Sequence, residues 1–227
     1  MTLDILGFVA MGAVDGLNIC SLSLLTLFVS LMYTSNASRQ TIVVWGLVYI
    51  ASVFASYFLL GLGILLLSVS IPLVPHFLAR FSVALLVFIG GVNVISYLRP
   101  GSISLNLPMT LGTKAIKYMR TISLPALFVA GLLVGLHNLP CACTGGLYPS
   151  FIALISGTGF QVGYLLIYNM AFTLPLLAIL SVSSSKAVTL RVRRWHVENS
   201  EKMRLGLGLV MLAVAAVILL LIQSGAI

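Results

Sequence analysis

Six long apolar stretches, at 5–33, 41–69, 77–98, 121–155, 160–182 and 205–222, leave this chain few ways to fold. The hydrocarbon core of a bilayer takes about 20 apolar residues per helix, and each stretch reaches or approaches that length. Of the 227 residues, 60% are hydrophobic and only 7% are charged, against about 25% charged in an average soluble domain. A soluble fold of this size has too little interior to hide that much apolar surface, so lipid is the solvent and helices are the elements. An all-α integral membrane protein with six transmembrane helices is the expected class. The first stretch follows Asp4, lacks a basic start and is too long for a cleaved signal core, so it reads as a mature helix.

A net charge of +8 on a soluble chain would point to nucleic acid. Here the charge sits between the apolar stretches. Arg39 lies between the first and second. Arg99, Lys114, Lys117 and Arg120 lie between the third and fourth, and Lys186, Arg191, Arg193, Arg194, Lys202 and Arg204 between the fifth and sixth. Of the 12 Lys and Arg, only Arg80 falls on the other side. Basic loops stay in the cytoplasm. Both termini, with the second-to-third and fourth-to-fifth loops, are therefore expected outside, in a multi-pass protein of the plasma membrane. The last basic loop, which holds Trp195, is expected to meet anionic headgroups. Topology alone accounts for these charges, and nucleic acid is assigned no role.

A weak internal repeat runs through the chain. Phe8-Val9-Ala10 returns as Phe128-Val129-Ala130, and Gly16-Leu17-Asn18-Ile19-Cys20 is echoed by Gly135-Leu136-His137-Asn138-Leu139-Pro140-Cys141. Three helices separate the copies, so the second copy is expected to be inverted in the membrane. The predicted layout is one transmembrane domain made of two inverted three-helix halves, 1–100 and 121–223, joined by a cytoplasmic connector at 99–121. Inverted repeats with interrupted helices at matching positions point to a site near the membrane midplane.

The two matching stretches are both longer than one simple span needs, at 29 and 35 residues, and helix breakers cluster in both. The first cluster is Asp15, Gly16 and Asn18. The second runs from Pro140 through Thr144, Gly145 and Gly146 to Pro149. Proline removes a backbone donor and clashes with the preceding turn, and glycine loosens a helix. Each overlong stretch is therefore expected to be two half-helices, a break being tolerated at membrane depth only where protein or water covers it.

All 3 cysteines lie at these breaks: Cys20 at one, Cys141 and Cys143 at the other. An odd count argues against a structural disulfide framework. Buried cysteines often only pack. A thiol at a half-helix N-terminus, however, feels the positive end of the dipole, which favours the thiolate that attacks disulfides. Two such thiols meeting at the repeat axis could form a reversible disulfide. Asp15, the one acid well inside an apolar stretch, is a functional candidate by its position, buffering protons or holding the break by bonding backbone amides; the alternative is a cap near the outer interface. His137, four residues before Cys141, reads as a base, a metal ligand or a packing residue. Asn169, Thr173 and Pro175 give the fifth stretch a polar, kinked patch that serves as interhelical glue or as a hinge.

Three segments carry a resemblance: Asp-Gly-Leu-Asn-Ile-Cys at 15–20, Leu-Pro-Cys-Ala-Cys-Thr-Gly-Gly-Leu-Tyr-Pro at 139–149, and Tyr-Asn-Met-Ala-Phe-Thr-Leu-Pro-Leu-Leu at 168–177. Through them nearly the whole chain resembles the CcdA/DsbD transmembrane family, thiol-reductant conductors of cytochrome c maturation and extracytoplasmic thiol reduction. The family pattern has a proline before the first cysteine, where this chain has Ile19. In the second segment Leu-Pro-Cys favours Cys141 as the active thiol and Cys-Thr-Gly-Gly favours Cys143. The resemblance implies a Cys20–Cys143 pair, with Cys141 as a resolving thiol or a passenger. It implies reduction by cytoplasmic thioredoxin and delivery to an extracytoplasmic thioredoxin-like protein, by a thiolate relay that needs no metal, haem or flavin. The chain has no Cys-x-x-Cys of its own, so both redox partners would be separate proteins.

Two other classes fit parts of the pattern. A soft-metal transporter would use Cys141, Cys143, His137 and methionines as ligands, and a plain solute exporter would keep function without cysteines. A quinone-linked thiol oxidase would need an external cysteine pair, and the outer loops contain none. The orientation is directly testable. Alkaline phosphatase, active only outside the cytoplasm, should be inactive when fused at residue 110 and active when fused at residue 158. The opposite pattern would reverse the assignment.

Overall fold

The computed structural model describes residues 2–17, 19–71, 73–99, 123–138, 146–182 and 198–224, with isolated residues at 114, 191, 194 and 195. Among these residues there are eight helices: α1 (Thr2–Gly16), α2 (Ile19–Thr34), α3 (Arg39–Ser70), α4 (Leu73–Leu98), α5 (Leu124–Asn138), α6 (Leu147–Ile155), α7 (Gln161–Val182) and α8 (Ser200–Gln223). Four of them, α3, α4, α7 and α8, are long and apolar enough to cross a membrane. Leu59, Leu66, Leu73, Phe77 and Leu220 are each more than 60% exposed on these helices. Apolar exposure spread over whole helix faces is what lipid, not water, accommodates. The chain is a helical membrane protein.

The first overlong stretch divides as its breakers predict. α1 ends at Gly16 and α2 begins at Ile19. At 1.5 Å per residue, each half is roughly 22–24 Å long, short of a bilayer core of about 30 Å. In the second overlong stretch, α5 ends at Asn138 and α6 begins at Leu147. α6 is only 9 residues long and almost every residue of it is buried, which is the condition for helix ends at membrane depth. Pro149, its third residue, sits in the first turn, where no intrahelical N–H is required.

Several boundaries differ from the apolar stretches. α3 begins at Arg39, so this arginine starts a helix instead of lying in a loop; Ser38 caps it by accepting a bond from the Thr41 amide at 3.2 Å. α4 begins at Leu73, which places His76 in a helical turn and Arg80 further along the helix than its first turn. Polar residues within reach of the solvated end are tolerated in a helix because only their side chains need water. α2 closes with Asn36 at φ 54°, the Ala37 amide bonding the Met32 carbonyl and the Asn36 amide that of Tyr33. This is a Schellman motif. α7 runs through Pro175 without a break.

Three helix pairs meet through glycine. On α1, a Cβ at Gly12 would lie 2.5 Å from the Tyr168 carbonyl oxygen of α7, and one at Gly16 would collide with that of Phe172. On α5, Cβ atoms at Gly131 and Gly135 would collide with the Ser52 and Ser56 hydroxyls and crowd the Tyr49 and Val53 carbonyls of α3. Gly131 and Gly135 stand 119 positions after Gly12 and Gly16, and Tyr168 and Phe172 stand 119 after Tyr49 and Val53. Both contacts advance in step, so α1 runs parallel to α7 and α5 parallel to α3. Gly90 of α4 faces Gly208 of α8, each Cβ position 3.0 Å from the other's carbonyl oxygen. Gly90 neighbours Met211 and Leu212, and Gly208 neighbours Asn93 and Val94, so α4 and α8 run antiparallel. Without a hydrophobic force between helices in lipid, close backbone approach through small residues supplies the packing. Ser52 and Ser56 turn their hydroxyls back to the Tyr49 and Val53 carbonyls at 2.7 and 3.0 Å, so the interface holds no orphaned hydroxyl there.

One buried cluster joins α2, α3, α5, α6 and α7, and a smaller one joins α4, α6 and α8 through Leu86, Leu147 and Met211. Gly16→Ala and Gly135→Ala should each destabilise the protein by about 1–3 kcal/mol through overpacking. Gly63→Ala, where a Cβ meets nothing within 4 Å, should be neutral or stabilising by up to about 1 kcal/mol. SDS-induced unfolding of the purified protein distinguishes these outcomes.

Candidate functional site

A polar cluster lies in the apolar interior between the two helix interruptions. Asp15, in the last turn of α1, is fully buried. Its Oδ2 accepts hydrogen bonds from the Tyr57 hydroxyl of α3 at 2.6 Å and the Tyr168 hydroxyl of α7 at 3.0 Å. Bonds of hydroxyls to a carboxylate are short and strong, and they offset part of the cost of burying that group. Tyr148, the second residue of α6, donates to the Tyr57 carbonyl at 2.8 Å, and its ring stacks on that of Tyr57 with centroids 4.1 Å apart. Asn169 of α7 donates through Nδ2 to the Leu165 carbonyl at 2.8 Å and to the Tyr148 hydroxyl at 3.4 Å. Phe172 packs on Tyr57 at 4.8 Å and Phe151 on Tyr168 at 4.2 Å, closing the cluster with rings.

The expected site residues fall into three groups. Asp15 and Asn169 are brought together around the tyrosines. Gly16 and Gly146 serve close packing: a Cβ on Gly146 would reach Leu86 at 2.7 Å. Thr173 bonds its own helix at the Met170 carbonyl, and Pro175 lies within α7. Cys20 is the second residue of α2, its side chain outside the described residues, and His137 is near the end of α5, its side chain likewise outside. Asn18, Pro140, Cys141, Cys143, Thr144 and Gly145 lie outside the described residues. Asp15 precedes Cys20 by five positions and Tyr148 follows Cys143 by five, so the flanks of both interruptions meet across the single side chain of Tyr57.

Tyr57, Tyr148 and Tyr168 were not singled out from the sequence. Two of them stand inside the motifs at 139–149 and 168–177, and a phenol deep in a predicted span was the available signal, since buried Tyr hydroxyls seek partners. Tyr57 stands in no motif, but it too is a phenol near the middle of a predicted stretch, 41–69. The site is also one-sided. Tyr49, 119 positions before Tyr168, has a buried hydroxyl with no hydrogen-bond partner among the described residues, and Val134, 119 after Asp15, is a buried apolar residue of α5.

Set against protein-family models, curated proteins and solved structures, the chain matches none. Chemically, the cluster offers a buried carboxylate with two phenol donors, able to hold a proton or pass it between oxygens in a region closed to bulk water. Removing one donor should be costly. Tyr57→Phe should lose about 1–3 kcal/mol of stability. A double-mutant cycle with Asp15→Ala should give a coupling of about 0.5–3 kcal/mol, read from SDS unfolding. Strict additivity would show that the bond contributes nothing.

Proposed function

We propose that this protein carries reducing equivalents across the membrane by thiol–disulfide exchange, as the resemblance to the CcdA/DsbD family implies. The observation that carries the proposal is the meeting of the two interruptions: Asp15, Tyr57 and Tyr148 join the flanks of the segments in which all three cysteines lie. The fold proposed with it is six spans in two inverted halves, with α1–α2 and α5–α6 as interrupted spans and both termini extracytoplasmic. The pair directions support that arrangement. In a six-span alternation the first and fifth spans run the same way, as do the second and fourth, while the third and sixth oppose. Contacts related by 119 positions in both halves support the repeat.

In the proposed cycle, a thiolate of cytoplasmic thioredoxin attacks the Cys20–Cys143 disulfide and forms a mixed disulfide. The second thioredoxin thiolate resolves it, so thioredoxin leaves oxidised and Cys20 and Cys143 hold two electrons as thiols. After presentation outward, one of these thiolates attacks the disulfide of an extracytoplasmic thioredoxin-like protein and the other resolves the intermediate. The acceptor leaves as a dithiol, and the Cys20–Cys143 bond re-forms. Asp15 and its phenols supply a place for the proton released or taken up as a nearby thiol changes state.

Differential alkylation of the purified, mildly oxidised protein, followed by digestion and mass spectrometry, tests this. A cross-link from Cys20 to Cys143 or Cys141 that reduced thioredoxin opens is the expected result, and it identifies the partner cysteine. Three free thiols under oxidant would overturn the proposal. A cysteine-free variant that retains thiol transfer in vesicles would overturn it equally.

A further inference from the structure

Beside the α1–α2 interruption the bundle opens a cleft of about 660 Å³, within the 300–1,000 Å³ or so that small ligands fill. Leu17, the residue at the break, lines it together with Leu22 and Thr26 of α2, Ile179 of α7 and Met203 of α8. Arg191 and Trp195, from the segment joining α7 to α8, also line the cleft, and both are exposed. Apart from Thr26 and Arg191 the walls are apolar. Two of the helices that form them, α7 and α8, are long and apolar enough to cross a membrane, so the medium expected to fill an open apolar cleft between them is hydrocarbon.

The charged end makes the choice narrower. A guanidinium presents paired donors that match a phosphate, and tryptophan favours the headgroup level of a membrane. Residues 186–204 carry six Lys and Arg against Glu198 and Glu201, an excess that attracts anionic headgroups. We propose that this cleft is a binding site for an anionic phospholipid, with an acyl chain lying between α2, α7 and α8 and the phosphate on Arg191. The occupant packs on Leu17, so it bears directly on the connection between the two half-helices. The site depends on the membrane placement of the bundle and not on the thiol chemistry, and its test leaves the cysteines untouched.

The test uses full-length protein in non-ionic detergent, supplied with phosphatidylglycerol or with phosphatidylcholine of the same chains. Native mass spectrometry counts retained lipid and thermal unfolding reports stabilisation. Phosphatidylglycerol should be retained about tenfold better and should raise the Tm, since a ligand bound only to the folded state stabilises it. Arg191→Gln should reduce its retention to the phosphatidylcholine level, whereas Arg80→Gln, on α4 and away from the cleft, should not. Leu22→Trp, which fills the cleft and leaves the charges in place, should abolish retention of both lipids and guards against a poorly folded Arg191 variant. Equal retention of the two lipids would overturn the proposal. So would indifference to both cleft variants, equal stabilisation by glycerol 3-phosphate alone, or protection of the cleft by self-association without lipid.

Discussion

A helix that ends inside a bilayer leaves amides and carbonyls that lipid cannot satisfy, and in this protein two described helix ends, that of α1 at Gly16 and that of α6 at Leu147, are buried in the bundle. Everything around those two places serves to cover them. α6 is sunk among α3, α4 and α7 so completely that it has almost no exposed side chain, and the end of α1 is clamped against α7 through Gly16. The long helices bear the lipid. The short ones, too short to span alone, are held by protein contacts, and the polar residues of the interior gather where they end.

Glycine makes that covering geometrically possible. Between apolar helices in lipid, packing must come from close contact of backbones, and at Gly12, Gly16, Gly131 and Gly135 there is no room for even a methyl group. Such positions admit one residue type. The side chains around Asp15 have no such steric uniqueness. They are held instead by hydrogen bonds that span three helices, from Asp15 on α1 to Tyr57 on α3 and Tyr168 on α7. The two kinds of constraint complement each other: glycine contacts set how near α1 lies to α7, and that spacing brings the Tyr168 hydroxyl within 3.0 Å of the carboxylate.

Much of the scaffold was legible in the sequence, because hydrophobic length is a direct reading of bilayer thickness and helix breakers act locally. The division of 5–33 into two helices needed only Asp15, Gly16 and Asn18, whereas the place of Asp15 in an apolar run fitted a cap at the outer interface as well as the buried position it takes. The partners of Asp15 were not legible. Tyr57 and Tyr168 lie 42 and 153 positions away from it, and nothing local marks which face of α3 or α7 turns inward. The glycine spacing was legible in principle, since Gly12 with Gly16 and Gly131 with Gly135 form the same small-x-x-x-small pattern. It was hidden by the more conspicuous matches around the cysteines, whose offsets vary from 119 to 121. The boundaries at Arg39 and Leu73 escaped for another reason: hydropathy locates the lipid-buried part of a helix, and helices continue beyond it into the headgroup region.

The difference between the two halves follows from the same physics. Where one backbone touches another, the positions 119 apart carry the same residue on the helix that approaches, glycine in both cases, because steric exclusion acts alike in each half. Where side-chain chemistry is free of that exclusion, the halves part: Asp15 has Val134 as its counterpart, and Tyr49 keeps a hydroxyl buried without a partner among the described residues while Tyr168 bonds a carboxylate. A repeated scaffold thus carries an unrepeated polar site. A carboxylate in each half would double the cost of burial and set two like charges in one apolar interior, and like charges there disfavour each other's ionised form. One acid with phenol donors from two other helices gives the interior a single ionisable centre, tied to the end of α1 and, through Tyr57 and Tyr148, to the start of α6.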